Sequence, residues 1–322
     1  MKMQLPDAAQ ALTEETSIAI AQKIQWADVK LSFATVPSST VPSSTVPSST
    51  VPSSTVPSST VSSSYVCEGE GDPLVLLHGF DSSLIEFRRL VPELARHFRV
   101  YALDLLGFGF GDRSATDRAD PEAIKQHLSA FIEQVIGQAP VTLVGASMGG
   151  GAAIDFVTSY PEKVEKLVLI DAVGFAGGPA IGKFMFPPLD KWATDFLKSP
   201  NVRRKISERA YYDKSFVTPD AEVCASLHLL TPGWAKWLIA FTKSGGYNFL
   251  AKRIKDVSVP TLVLWGRQDR ILGTKDATRF EKAIAGSQLI WIEDSGHVPH
   301  LEQAKVTAKH ITEFVKKQYA AA

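Results

Sequence analysis

Downstream of residue 70 the chain alternates short apolar runs with helix-patterned stretches, and this alternation constrains its fold more than any other feature. Apolar runs of strand length fall at 74–77, 99–103, 141–144, 167–170, 261–265 and 289–292. Between them lie stretches with apolar residues at helical spacing. One covers 84–97, with Pro92 opening its second half. Another starts at Asp120, a capping residue followed by Pro121, and carries Ile124, Leu128, Phe131, Ile132, Val135 and Ile136 before Gly137 ends it. Further helices are expected over 148–160, 275–285 and 301–317. Strands that are apolar throughout, separated by helices, require a mainly parallel sheet covered on both faces.

Upstream, five perfect copies of Val-Pro-Ser-Ser-Thr occupy 36–60. Proline at every fifth position removes a backbone donor and fixes φ, and each copy has one valine to bury. The array therefore predicts a flexible, partly polyproline-II insertion, not a solenoid. The segments flanking it read as strands. Val29, Leu31, Phe33 and Thr35 alternate before it, with Ile24 and Trp26 in the opposite phase, which suggests a bulge near Ala27. A strand around 65–68 follows. The array is thus expected at the tip of a β-hairpin, as an insertion spanning 36–64 after an N-terminal segment and first strand over 1–35.

Residues 173–257 break the alternation. This stretch carries Phe184, Phe186, Trp192, Phe196, Tyr211, Tyr212, Trp234 and Trp237 and reads as helices with loops. It predicts a smaller helical unit set between two parts of a sheet domain, 65–172 and 258–322. Its aromatics point to a small-molecule substrate with an apolar group, or to the unit's own core.

Lysine plus arginine balances aspartate plus glutamate at 34 each. The whole molecule therefore has no electrostatic case for nucleic acid or an anionic membrane. Arg203, Arg204 and Lys205 read as solvated helix surface. No run is apolar and long enough for a membrane span, and the N-terminus lacks the apolar stretch of a secretory signal, so a cytoplasmic location is expected. Cys67 and Cys224 read as free buried thiols. No spaced Cys/His set suggests a metal, and no cofactor is expected.

In an open α/β sheet, chemistry belongs at the carboxyl ends of the strands. Four such ends carry suggestive residues. In VTLVGASMGG, Gly145, Ser147 and Gly149 form Gly-x-Ser-x-Gly between a strand and a helix. The serine must sit on a sharp turn, and positions two before and two after it must be small. In LVLLHGFDSS, Gly79 allows a tight turn. The amide of Phe80, with that of Met148, would then form an oxyanion hole, while His78 braces the loop. In TLVLWGRQDRI, Asp269 can orient a histidine, with Asp171 at another strand end as its rival. In DSGHVPHLE, His297 can reach the serine, with His300 as its rival. His97, His127, His228 and His310 read as ordinary surface or interface residues.

With HGF, DLLGFGFGD (104–112), GASMGG, GRQD and GHVPHLE, the chain resembles the α/β-hydrolase-fold serine hydrolases over most of 24–319 outside the array. The order Ser147, Asp269, His297 is that family's order. The resemblance implies an eight-stranded, mainly parallel sheet with the helical unit as a cap over the active site. It implies that His297 activates Ser147 and Asp269 orients His297, with no metal or cofactor. GASMGG, GRQDR and the segment RAYYDKSFVTPD are also similar to hydrolases that cleave carbon–carbon bonds in ring-cleavage diketones. HGFDSS replaces that group's usual oxyanion loop, and Ala146 stands where asparagine is more usual. Ester hydrolysis is the leading expectation, carbon–carbon hydrolysis the alternative, and a non-catalytic binding member of the fold the third.

Overall fold

A computed structural model describes residues 4–32, 58–137, 140–175 and 188–317. Its sheet has eight strands: β1 (Gln25–Ser32), β2 (Ser58–Glu68), β3 (Pro73–Leu77), β4 (Arg99–Leu103), β5 (Val141–Ala146), β6 (Val164–Ile170), β7 (Thr261–Gly266) and β8 (Gln288–Ile292). Their order across the sheet is β1-β2-β4-β3-β5-β6-β7-β8. Only β2 pairs antiparallel with its neighbours, and every pair from β4 to β8 is parallel. The central strands β3, β5 and β7 are buried along their whole length. Their apolar side chains enter two cores, one on each face of the sheet.

The helices are α1 (Glu15–Gln22), α2 (Pro121–Phe131), α3 (Met148–Val157), α4 (Leu189–Lys198), α5 (Pro200–Ala210), α6 (Pro219–Cys224), α7 (Trp234–Ser244), α8 (Lys275–Ala283) and α9 (Ala304–Lys316), with shorter turns between. The Asp120 side chain caps α2 by accepting from the Ala123 amide, as its position predicts. Helices α4 to α7 lie between β6 and β7, where the alternation breaks.

Two expectations about the first hairpin need correction. The β1–β2 ladder runs without a register shift from Gln25–Tyr65 to Ser32–Ser58, so there is no bulge at Ala27. Two phases coexist because the sheet is covered on both faces. Val29 and Leu31 enter one core, and Ile24 and Trp26 pack against the other. Second, β2 starts at Ser58, inside the expected 36–64 insertion. Val61 is buried, Ser63 bonds His127 at 2.6 Å, and the Ser64 hydroxyl donates to Asp104 at 2.5 Å. Serine and threonine can hold a strand when a partner strand and polar acceptors are present. Array residues 36–57 lie outside the described residues.

The same hairpin extends past the rest of the sheet. Only Tyr65–Glu68 pair with β4, and Tyr65 meets Leu103, the last residue of that strand. Ser58–Ser64 pair with β1 alone, beyond the carboxyl end of β4. Seven residues of strand reach roughly 20 Å. Amides of Asp104 and Asp112 donate to Ser64 O and Ser62 O along this arm.

Candidate active site

The turn between β5 and α3 holds Ser147 at φ 50°, ψ −115°. A non-glycine residue adopts such a backbone only when its surroundings impose it. The Ser147 amide donates to Ile170 O at 2.9 Å, and its carbonyl accepts from Val173 N at 3.0 Å. The flanking glycines are demanded by space. A Cβ on Gly145 would lie 2.4 Å from Gly149 O, and one on Gly149 would lie 2.0 Å from Leu77 O. No side chain fits there without moving backbone, so β5, α3 and β3 approach closely only with glycine.

Three strand ends bring their side chains together. The Ser147 hydroxyl lies 3.0 Å from His297 Nε2, and His297 Nδ1 lies 3.0 Å from Asp269 Oδ2. The other Asp269 oxygen accepts from the amides of Ile271 (2.7 Å) and Leu272 (3.1 Å). With Nδ1–H directed at a carboxylate, Nε2 is left to accept the serine proton. The His297 amide donates to Ala210 O at 2.7 Å, tying its loop to the end of α5.

Both rivals are placed elsewhere. Asp171 is fully buried, and its Oδ1 accepts from the Gly266 amide at 2.9 Å. Burial, and then the charge of Asp269, raise its carboxyl well above the ordinary carboxylate range, which favours its neutral form. Asp171, Asp269 and His297 each place one polar atom within 4.8 Å of the others. His300 is buried, with Nε2 3.1 Å from Glu86 Oε1, at the edge of the cavity that also holds Ser147.

Gly79 is close enough to Ser147 that a Cβ there would lie 3.4 Å from the serine Cβ. Among the described backbone hydrogen bonds, neither the Phe80 nor the Met148 amide donates to a protein acceptor. His78 is fully buried; its Nδ1–H donates to Gly79 O at 2.8 Å, and its Nε2 accepts from the Leu105 amide at 3.1 Å. It therefore links the ends of β3 and β4.

Several residues near Ser147 escape sequence reasoning. The Gly79 amide faces both Glu86 oxygens at 3.2–3.3 Å. Burial pushes the Glu86 carboxyl up, but His300 and then His78 outweigh it and hold it at about 2. Asp81, next to Phe80, has φ 51° and accepts from Arg203 Nη1 at 2.6 Å, Trp234 Nε1 at 2.7 Å and His228 at 3.2 Å. Arg203 is thus an ion-pair partner, not solvated surface, and His228 is buried, as is His127. Asp81, Arg203 and His228 look ordinary in sequence because Asp81 and its partners lie more than 100 positions apart. Cys67 and Cys224 are free, with Cys67 only half buried.

A cavity of about 300 Å³ opens over Ser147 and His297. Ile206, Tyr211, Ile271, Val298 and Leu301 supply its apolar lining, and Arg88 also lines it. Among the insert aromatics, Trp234 and Trp237 are packed in the core; Phe184 and Phe186 lie outside the described residues. No helix among the described residues is long and apolar enough to cross a membrane.

Comparison with known proteins agrees with this fold. The family model described as "Alpha/beta hydrolase family" matches residues 74–310. The chain is 34% identical to the alpha/beta hydrolase domain-containing protein VTE7 of Arabidopsis thaliana, over 75% of this chain and 73% of that protein. It is 29% identical to a 2-hydroxy-6-oxo-2,4-heptadienoate hydrolase of Pseudomonas putida, over 77% and 90%. It is 27% identical to Lipase 3 of a Moraxella species, over 76% and 77%. With an eight-stranded, mainly parallel sheet and a family match across most of its length, the chain belongs to the alpha/beta hydrolase family of enzymes.

Proposed function

We propose that this enzyme hydrolyses a carboxylic ester through a Ser147–His297–Asp269 triad. The observation that carries the reading is the pair of 3.0 Å contacts joining Ser147 Oγ, His297 and Asp269 on three strand-end loops. His297 takes the serine proton as Oγ attacks the carbonyl carbon, and the imidazolium returns it to the leaving alcohol. The amides of Phe80 and Met148 face the developing oxyanion. Asp269 holds the Nδ1–H tautomer and balances the imidazolium. Water, deprotonated by His297, then releases the acid from Ser147. Helices α4 to α7 act as the cap, and the cavity's apolar lining suits an apolar acyl or alcohol group.

A second reading has its own support. The guanidinium of Arg88 is buried, and its Nε and Nη2 have no protein acceptor. Its neighbours on the cavity side, Tyr211 and Cys224, both keep their protons, because burial raises each. Glu14 and Asp220 lie near enough to feel the charge of Arg88, but two buried donors without an acceptor are costly and favour a carboxylate in the cavity. The Pseudomonas putida relative acts, by its name, on a dienoate. Carbon–carbon cleavage of such an acid would use the same serine.

Fluorophosphonate labelling tests the nucleophile: intact protein should label, and Ser147→Ala should not. Equal labelling of the two would remove Ser147 from the mechanism. Turnover of p-nitrophenyl esters of graded chain length, beside ring-cleavage diketones, separates the two readings. Under the second, Arg88→Gln raises KM for the acid and leaves neutral esters unaffected.

A further inference from the structure

Helix α4 is amphipathic in the wrong sense for a soluble cap. Leu189, Trp192 and Phe196 share one face at helical spacing and are 52%, 68% and 63% exposed. On the opposite side, Asp190 and Thr194 are buried. A helix that turns tryptophan and phenylalanine to solvent and a carboxylate inward marks a surface that meets another apolar phase.

Behind this face lies a groove of about 530 Å³. Phe196, Leu197, Val202 and Ile206 supply apolar walls, and its charged lining residues are Lys205 and Arg209, both cationic. Lys191, Lys198 and Lys205 on the surrounding surface are exposed, and no ion pair is recorded for them among the described residues. Asp195 is the one exposed acid on α4. Ile206 and Ile271 line both this groove and the cavity over Ser147, so the two spaces adjoin.

We propose that the exposed face of α4 and the groove behind it dock on an anionic lipid bilayer, and that the groove leads the apolar chain of a membrane-borne ester towards Ser147. A protein partner or a second copy seated here would cover the entrance. A bilayer covers the apolar face and at the same time supplies a chain to fill the groove. Lys205 and Arg209 then meet lipid phosphates, as the rim of cations requires. The substrate half of the proposal rests on Ser147 being the nucleophile; the docking half does not.

Flotation of the full chain with phosphatidylcholine vesicles, with and without phosphatidylglycerol, tests it. The protein should float with the anionic vesicles and lose flotation at high salt. The pair Trp192→Ser with Phe196→Ser should abolish flotation, as should Lys205→Glu with Lys198→Glu. Each pair should keep fluorophosphonate labelling and short-chain ester turnover. Turnover of a long-chain ester in anionic vesicles should fall about tenfold or more in both. Ser147→Ala should float like the unsubstituted protein. Three results overturn the docking: no flotation of the unsubstituted chain, unchanged flotation of both substituted pairs, or a self-associated chain that does not float and becomes monomeric with Trp192→Ser and Phe196→Ser. Flotation without turnover of any ester would uphold docking and sink the ester reading instead.

Discussion

Asp171 and Asp269 are two aspartates at neighbouring strand ends, and their environments differ. Asp269 accepts two backbone amides and faces His297, which suits a carboxylate. Asp171 is fully enclosed beside it, and burial favours its neutral form. Asparagine imitates a neutral carboxylic acid well and a carboxylate poorly. Asp269→Asn should therefore lower kcat by about 10⁴, the cost of presenting the wrong tautomer. Asp171→Asn should leave kcat within about tenfold, since it preserves the neutral form. Steady-state kinetics of the two variants on one ester decides the assignment, and an equal loss in both would contradict it.

At the scale of elements, the β2–α2 contact carries a pH dependence. His127 on α2 is buried against Ser63 of β2, and burial lowers its pKa to about 4. In the unfolded chain an unperturbed histidine titrates near 6.5. Above that value both states are neutral and the histidine adds no pH dependence. As pH falls below it, the unfolded chain binds a proton that the folded chain refuses, so stability drops until the folded histidine itself titrates near pH 4. The full loss is roughly 3 kcal/mol. His127→Gln should flatten this part of the Tm–pH curve between pH 7 and 4.5; an unchanged slope would show that other groups carry it. Asp81 is a second inter-element tie, because Arg203, His228 and Trp234 from the insert all converge on it. Asp81→Ala leaves the half-buried Arg203 without its ion-pair partner and the buried His228 and Trp234 without their acceptor and should cost about 2–4 kcal/mol, measurable by urea unfolding. Its position next to Phe80 means that ester turnover should fall as well.

For the whole molecule, the insert is held from several sides. Asp81 binds it to the loop after β3. On another side, the amides of Thr13 and Glu14 and the hydroxyl of Ser17 donate to Asp220 of α6. Glu302 accepts from the amides of Tyr212 and Asp213, and from Gly296 next to His297. Ser32 and Ser58, the described residues on either side of 33–57, pair at the end of an arm beyond the carboxyl end of β4. Strand β2 is three strands away from β5, ~14 Å across the sheet. Deleting residues 36–55, four whole copies, should leave ester turnover and Tm nearly unchanged. Extending the deletion through residue 60 removes the β-pairs of Ser58, Ser59 and Thr60 with β1 and should lower Tm. A large effect of the shorter deletion would show that the array contributes to the fold.

By itself the sequence determined the alternation of strands and helices, the glycine-flanked serine turn, and the order of serine, acid and histidine. These are local facts: strand and helix periods, and glycines forced by backbone contact within a few residues, as at Gly145 against Gly149. Asp269 and His297 were legible because each lies in the loop just after a strand, and the loops at strand ends converge in a parallel sheet. Only the tertiary structure shows His297 within 3.0 Å of both Ser147 and Asp269, with Asp171 fully buried and His300 against Glu86, because burial and neighbouring charge come from elements far away in the chain. It alone showed that Arg203 is paired, that Glu86 and Arg88 border the cavity, and that α4 turns its aromatics outward. In sequence a charged residue on a helix looks solvated, and an aromatic looks buried. Which of them meets solvent depends on where the rest of the chain packs.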